Sequence, residues 1–397
     1  MDRTVLHCDC NAFFASCECA RDPSLKNVPM AVCGDPDKRH GIILAKNELA
    51  KAFDVRTAET LWQAKKKCPA LVLVRPHYDL YADYSHRCNA IYRDYTDLVE
   101  PFGIDESWLD VTNSRLLFGD GKTIADTIRA RFREELGLTC SIGVAFNKSL
   151  AKLGSDYKKP DATTVITREN LRSLVWPLPV ERLLYVGRST VKVLKSMGIG
   201  TIGELAQTPP SLLTRKLGKA GAMLSAYARG EETEPVASAY AEHNPKSVSC
   251  GMTFRHDLLT RAQLRTGLLL VCEEFVARLR YYHVKCTQIA LTVKYDDFFS
   301  ESKQAALDHA TNLRREIFDR ALALAEQMLN GKPVRSLTVS GSKLMPETSS
   351  YAQLSMFDED LGRRDKLSRA EDALADIREK YGKQAVKLGA LMDTDLE

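Results

Sequence analysis

No run of 18 consecutive apolar residues occurs in this chain, so nothing in it predicts a membrane span. The opening residues, Met1-Asp2-Arg3-Thr4-Val5-Leu6-His7, lack the long apolar core of a secretory signal, and no leader is expected. No internal repeat at a fixed period is present, which sets aside solenoids and propellers. Tryptophan is scarce, and Trp62, Trp108 and Trp176 read as core residues rather than base-stacking platforms. Cysteine is more plentiful, but eleven residues spread over 397 fit reduced thiols in a cytoplasm better than a disulfide framework. His7, Cys8, Cys10, Cys17 and Cys19 lack the paired C-x-x-C units of a structural zinc site, so zinc is not expected.

A strong net charge is also missing: the total is only +4. Its distribution says more. From Lys246 to Lys343 there are 15 Lys or Arg against 10 Asp or Glu, an excess of 5 that exceeds the excess of the whole chain. Positive charge gathered in one late segment points to a phosphate-binding module. The length predicts two to four domains.

Val5 and its neighbours, Thr4 to Cys8, read as a short buried strand running into Asp9 to Glu18, which reads as the start of a helix. Val28 to Cys33 reads as a strand, and Ala45 to Phe53 and Thr60 to Lys67 as helices. Leu98 to Ile104 and Ser107 to Val111 flank Asp105-Glu106 as a hairpin with two acids at its tip. Helix over Lys122 to Leu136, strand over Thr139 to Ala145, helix over Lys148 to Tyr157 and strand over Thr163 to Ile166 complete a mixed α/β sheet, expected to be covered on one face. Residues 168–229 read as short helices, and Gly230-Glu231-Glu232-Thr233-Glu234-Pro235 as a linker. Further on, Val248 to Phe254, Cys286 to Tyr295 and Ser336 to Ser342 are strand-like, and Gln263 to Tyr281 and Gln304 to Leu329 helix-like, a second α/β domain.

Transfer of a phosphoryl group to a sugar hydroxyl calls for two divalent cations on hard oxygen ligands. About three carboxylates must converge from rigid strand ends. Asp9 follows one strand and Asp105-Glu106 adjoin another, so neighbouring strands would bring the three together. Singly, each acid is unremarkable as a turn residue or a helix cap.

With these flanks the chain resembles the Y-family DNA polymerases. Cys8-Asp9-Cys10-Asn11-Ala12-Phe13-Phe14-Ala15-Ser16-Cys17-Glu18 is similar to the family's first motif in its UmuC-like form, as is Tyr78-Asp79-Leu80-Tyr81-Ala82-Asp83-Tyr84-Ser85. Ile104-Asp105-Glu106-Ser107-Trp108-Leu109-Asp110 resembles the central acidic motif. The matching order covers residues 1–345 and a tail motif. The resemblance implies a right-hand polymerase with a ferredoxin-like palm (1–10 and 78–168), small fingers (11–77), a helical thumb with a helix-hairpin-helix (169–233), a linker (234–245), an α/β little finger (246–345) and a tail (346–397). It implies low-fidelity synthesis across damaged template from dNTPs on primer-template DNA. Asp9, Asp105, Glu106 and the Cys10 carbonyl would hold two Mg²⁺ ions. Phe14 falls at the steric-gate position, where its ring would clash with a ribose 2′-hydroxyl. The backbone N–H groups of Phe13 and Phe14, with Lys51 and Lys159, would meet the triphosphate.

The chain departs from the commoner pattern at three positions. Lys51 stands where most members have arginine, and Ala45 and Glu48 where they have a threonine and a tyrosine. Lys46 and Asn47 are alternative phosphate ligands. Ser141-Ile142-Gly143-Val144-Ala145-Phe146-Asn147-Lys148-Ser149-Leu150-Ala151-Lys152 resembles the strand, turn and helix beneath the primer; Lys148 and Lys152, four apart and so on one helix face, are expected to touch DNA or phosphate. Gly187-Arg188-Ser189 stands where the resemblance has the Gly-Ile-Gly of the first hairpin, and Arg188 would supply charge to a DNA phosphate. Gln353-Leu354-Ser355-Met356-Phe357 resembles the bacterial sliding-clamp motif, with Gln353, Leu354, Met356 and Phe357 as its contacts. A cytoplasmic monomer is expected. Two rivals share parts of this pattern: a nucleotidyl cyclase, which needs no long basic domain, and a non-catalytic DNA-binding protein, which needs no acids.

Overall fold

In the computed structural model of the chain, Val5–Cys10 forms strand β1, buried at all six positions. Met30–Cys33 (β2), Ile43–Lys46 (β3) and Val72–Val74 (β4) follow, then Val99–Pro101 (β5), Glu106–Asp110 (β6), Cys140–Ala145 (β7) and Thr163–Val165 (β8). The structure describes residues 2–35, 41–241, 244–328, 331–348, 361–382, 385–392 and 394–396. It divides into two units, Met1–Glu242 and His243–Glu397.

The main sheet of the first unit has the order β5-β6-β1-β7-β8. Its neighbours are antiparallel except β7 and β8, which run parallel. With the helices Tyr78–Arg93 and Gly121–Arg131, β1, β5, β6 and β7 make a βαββαβ unit of ferredoxin-like strand order. Side chains alternate across the sheet. Leu6, Cys8 and Cys10 join the core that those two helices fill with Tyr92, Ile124 and Ile128. On the opposite face Val5 packs with Leu150 and Ala151 of the helix Lys148–Tyr157. The sheet is therefore covered on both faces, not one. Gly143 of β7 permits this: a Cβ there would lie 1.9 Å from the Ala151 carbonyl oxygen and 2.5 Å from the Ser155 nitrogen.

A three-stranded sheet, β3-β2-β4, closes a separate small core around Ala31, Ile43, Ala50 and Leu71. The helix expected from Ala45 starts instead at Glu48, because Ile43–Lys46 pairs with β2. Asn47 sets that boundary. Its Oδ1 accepts from the Met30 and Ala50 nitrogens, and its Nδ2 donates to the Leu25 and Val28 carbonyls. Beyond β8, helices Arg188–Ser196, Ile202–Gln207, Pro210–Leu217 and Lys219–Arg229 enclose Leu194, Ile202, Leu205 and Leu224.

The expected linker at 234–245 is partly stitched to the first unit. Arg3 donates to the Glu234 carbonyl, the Ala237 nitrogen to Glu100, and the Ala239 nitrogen to the Asp97 carbonyl, while Val236 is buried.

In the second unit Ser247–Leu258 (β9), Val284–Tyr295 (β10), Ser300–Thr311 (β11) and Val334–Pro346 (β12) form a sheet of order β11-β10-β12-β9. Helices Arg261–Tyr281 and Arg314–Glu326 share its core. The helix expected over Gln304–Leu329 is a strand followed by a shorter helix. Ala305 and Leu307 alternate with the exposed Gln304, Ala306 and Asp308 along β11, and pairing with β10 outweighs the helical preference of the Gln-Ala-Ala-Leu run. The charged tail helix Leu361–Tyr381 is tied to this unit by Arg378–Glu273, Arg280–Glu371 and Arg364–Glu316 pairs.

All eleven cysteines are free and buried. Among the described residues no helix is long and apolar enough to cross a membrane.

Because the atoms that would meet a methyl at position 143 are backbone, neither partner can swing aside. Gly143→Ala is expected to lower stability by about 3 kcal/mol or more, or to abolish folding. Thermal unfolding of the two proteins checks this, and a melting temperature unchanged within a degree or two would contradict the close packing.

Candidate active site

Two adjacent strands place the first two acids. In the register of β1 against β6, Asp9 lies opposite Glu106, so both side chains emerge on the same face. Asp105 sits in the turn just before β6, where its carbonyl accepts from the Cys10 nitrogen at 3.0 Å. The acids line a cleft of about 520 Å³ with Phe13, Phe14, Lys46, Lys51, Lys152 and Lys159. The helix Phe13–Arg21 starts abruptly because Ala12 adopts a left-handed conformation, φ 47° and ψ 45°. An L-residue held there is strained, as is common at functional sites. The turn brings Phe13 and Phe14, the first residues of that helix, to the cleft wall.

Two lysines answer the crowded negative charge. Lys152 Nζ stands 2.6 Å from Glu106 Oε2 and 3.1 Å from Asp9 Oδ2. Lys159 Nζ lies 2.8 Å from Asp9 Oδ1 and 2.8 Å from Asp156. Burial would push the Glu106 carboxyl up, but contacts with His7 and Lys152 hold it down to about 2. Asp105 has no such partner. Burial first, then the charges of Asp9 and Glu106, push its carboxyl up to about 6. The cluster thus carries more negative charge than its own cations balance, and its donors are hard oxygens of the kind that suit Mg²⁺.

Behind the acids lies fully buried His7. Its Nδ1 is 2.8 Å from Ser155 Oγ, and its Nε2 is 3.4 Å from Glu106 Oε2. Ser155 Oγ in turn donates to the Lys152 carbonyl. His7, Asp9 and Glu106 offer three ligand atoms within 4.8 Å of one another, a grouping that the sequence did not single out.

The remaining expected residues divide. Lys51 lines the cleft and pairs with Glu48 at 3.3 Å. Lys46 also lines it, with Nζ 3.1 Å from Thr57, whereas the four hydrogen bonds of Asn47 are all spent on backbone groups. Of the two alternatives, the structure leaves only Lys46 facing the cleft. Lys148, expected to touch DNA, is 5% exposed. Its Nζ is clamped at 2.8 and 2.9 Å by Glu100 and at 3.2 Å by Glu234, and it lies over the Trp108 ring. It is a buried ion-pair partner rather than a surface contact. Lys152, read as a second DNA contact, instead faces the acids. Helical spacing did put both lysines on one face, but that face is turned to the sheet. Arg188 is exposed at the first turn of Arg188–Ser196 and is not part of the cleft. Trp108 is buried as expected, but Trp62 is 71% exposed. Gln353, Leu354, Met356 and Phe357 lie outside the described residues.

The arrangement of sheets and helices recurs in a solved Y-family DNA polymerase chimera, Dbh-Dpo4(243-245)-Dbh. The TM-score is 0.77 at 23% identity, covering 86% of this chain and 99% of that one. The fold is that of a Y-family DNA polymerase. Family models of the impB/mucB/samB family and of its C-terminal domain match residues 8–156 and 245–356. DNA polymerase IV of Acetivibrio thermocellus is 44% identical over 99% of this chain and 98% of its own. DNA polymerase IV 2 of Halalkalibacterium halodurans is 37% identical over 98% and 94%, and DNA polymerase IV 1 of Bacillus subtilis is 34% identical over 98% and 93%. The chain belongs to the impB/mucB/samB family of Y-family polymerases, and it is a DNA polymerase.

Asp105 yields a test of the charge imbalance. Its folded carboxyl titrates near 6, above the ordinary 3.8, so its ionisation costs stability that is absent below about pH 4 and complete above about pH 6. Without divalent cations, Asp105→Asn is expected to stabilise the protein at pH 7.5 by about 1–2 kcal/mol, after allowance for solvent at the cleft mouth. At pH 4 the gain should vanish. Paired thermal melts in a chelator check this, and equal melting at pH 7.5 would contradict it.

Proposed function

We propose that this polymerase extends a primer on a DNA template by two-metal nucleotidyl transfer, and that it does so across damaged bases. The observation that carries the reading is the convergence of Asp9, Asp105 and Glu106 in one cleft with Phe14 on its wall. Asp9, Asp105, Glu106 and the Cys10 carbonyl would hold two Mg²⁺ ions. Bound there, the ions would lower the pKa of the attacking hydroxyl and stabilise charge on the transferring phosphorus. The excess negative charge at Asp105 supports that assignment.

The protein's own groups do the positioning. The Phe13 and Phe14 N–H groups open a nine-residue helix whose N-terminus favours an anion. Lys46, Lys51 and Lys159 supply charge for the triphosphate, and Lys46 with Thr57 takes up a role that Ala45 and Glu48 cannot fill. Phe14 would reject a ribose 2′-hydroxyl. Small fingers would leave the site open to bases that a tight site excludes, at a cost in fidelity.

Residues 1–10 and 78–168 serve as palm, 11–77 as fingers, 169–233 as thumb and 246–345 as little finger. The sheet alternation of the second unit supports the last, since its helices cover one face and leave a polar face for phosphates. Arg188 would meet a DNA phosphate from the thumb. The tail segment Gln353 to Phe357 would dock on the sliding clamp. The enzyme would act as a monomer in the cytoplasm.

Primer extension with Mg²⁺ and dNTPs tests the core of this reading on undamaged and abasic templates. The wild type is expected to extend both, and Asp105→Ala/Glu106→Ala neither. In the same assay Lys46→Ala should raise the KM for dNTP by about tenfold, the loss of one charge-assisted contact. Extension that survives the double replacement would refute the metal assignment, and a halt at every abasic site would refute unaided bypass.

Gln353→Ala/Phe357→Ala is expected to weaken clamp binding by at least about tenfold while unassisted extension stays as in the wild type. Unchanged binding in a clamp titration would remove the tail assignment.

A further inference from the structure

Phe14 does not stand alone in the cleft wall. Phe14 and Glu18 are four residues apart on the helix Phe13–Arg21, and Tyr78 and Tyr81 three apart on Tyr78–Arg93, so each pair shares a helix face. The faces meet. The Phe14 ring stacks on Tyr81 with centroids 4.2 Å apart and planes 12° from parallel. Tyr78 meets the Phe14 ring edge-on at 6.1 Å and 88°.

Tyr81 is itself held. It is fully buried, and its hydroxyl donates to Glu18 Oε1. Glu18 is 2% exposed, an unusual place for a carboxylate, and is retained by partners. His77 Nδ1 lies 2.8 Å from Glu18 Oε1, and Arg21 3.6 Å from Oε2. Burial and the neighbouring Glu18 push the Tyr81 phenol up, so it remains a donor through the working pH range. A hydroxyl fixed at one end and a ring stacked at the other leave Tyr81 little freedom to tilt.

A steric gate works only as well as its position is held. Rejecting one added hydroxyl is a matter of a fraction of an ångström, and a ring free to rock would let a ribose in. We propose that Tyr81 and Glu18 form a buried buttress that sets the position of Phe14 and thereby the rejection of ribonucleotides. The proposal rests on reading Phe14 as the steric gate. Tyr81 and Glu18 are positioning residues, since Phe14 stands between them and the nucleotide.

The test is the ratio of kcat/KM for a dNTP to that for the matching rNTP opposite an undamaged base. It is measured for the wild type, Phe14→Ala, Tyr81→Leu, Tyr81→Phe and Glu18→Gln. Phe14→Ala is expected to lower the ratio most, by roughly 100-fold, the scale on which an apolar site rejects an added hydroxyl. Tyr81→Leu should lower it by about tenfold, chiefly through a lower KM for the rNTP, with dNTP efficiency kept within about threefold. Tyr81→Phe keeps the ring and Glu18→Gln the shape, and each should lower the ratio by about threefold. Wild-type ratios in all three buttress variants, with Phe14→Ala permissive, would overturn the buttress and leave the gate intact. A wild-type ratio in Phe14→Ala would overturn the gate, and the buttress with it. If Tyr81→Leu loses both activities together through misfolding, Tyr81→Phe and Glu18→Gln decide the question by the same ratio.

Discussion

Like charges set opposite one another in a sheet repel, and this molecule sets Asp9 opposite Glu106 at the end of two paired strands with Asp105 one residue away. Such an arrangement raises the free energy of the folded chain unless cations answer it. The protein supplies two lysines from the Lys148–Tyr157 helix and its end, one on each side of Asp9. They balance Asp9 and Glu106 but leave Asp105 short of a partner. The site is therefore preorganised for added positive charge.

That balance depends on packing some distance from the acids. Lys152 reaches them only because its helix lies almost in contact with β7, an approach that Gly143 allows. The same helix is anchored at its start by Lys148, locked between Glu100 and Glu234 beneath Trp108, and by Glu232, which accepts from the Ser149 nitrogen. The acidic stretch after Gly230 thus fastens the helix that carries the active-site lysine. On the opposite face, apolar and sulfur-bearing side chains of β1 fill the core under Tyr92 and Phe132. One strand serves both purposes because its side chains alternate, with chemistry on one side and packing on the other.

The cleft wall follows the same logic. Ala12 takes a strained conformation so that the helix carrying Phe13 and Phe14 can begin directly after the strand that carries Asp9. Position 14 is then defined twice, by the helix start and by the aromatic stack beneath it. The replacement of the family's arginine by Lys51 fits a cleft in which Lys46 and Lys159 also supply charge. A lysine is a point charge that needs no bidentate alignment.

Local sequence was enough to place β1, the acidic turn, the Lys148–Tyr157 helix and most of the second unit, because strand alternation and helical spacing are local properties. The motif around Asp9 and that around Asp105 and Glu106 also named the acids that meet in the cleft. Spacing alone did not say which way a helix face points. Lys148 and Lys152 share a face as read, yet that face meets the protein's own carboxylates, since which partner a charge finds depends on residues 48 and 86 positions away. The run before Thr311 reads locally as helix and becomes a strand because β10 offers it a ladder. His7, Glu18 and Tyr81 are ordinary letters of their motifs until the fold buries them together. Their roles arise from contacts between segments far apart in the chain, and such contacts exist only once the tertiary structure has brought those segments within reach.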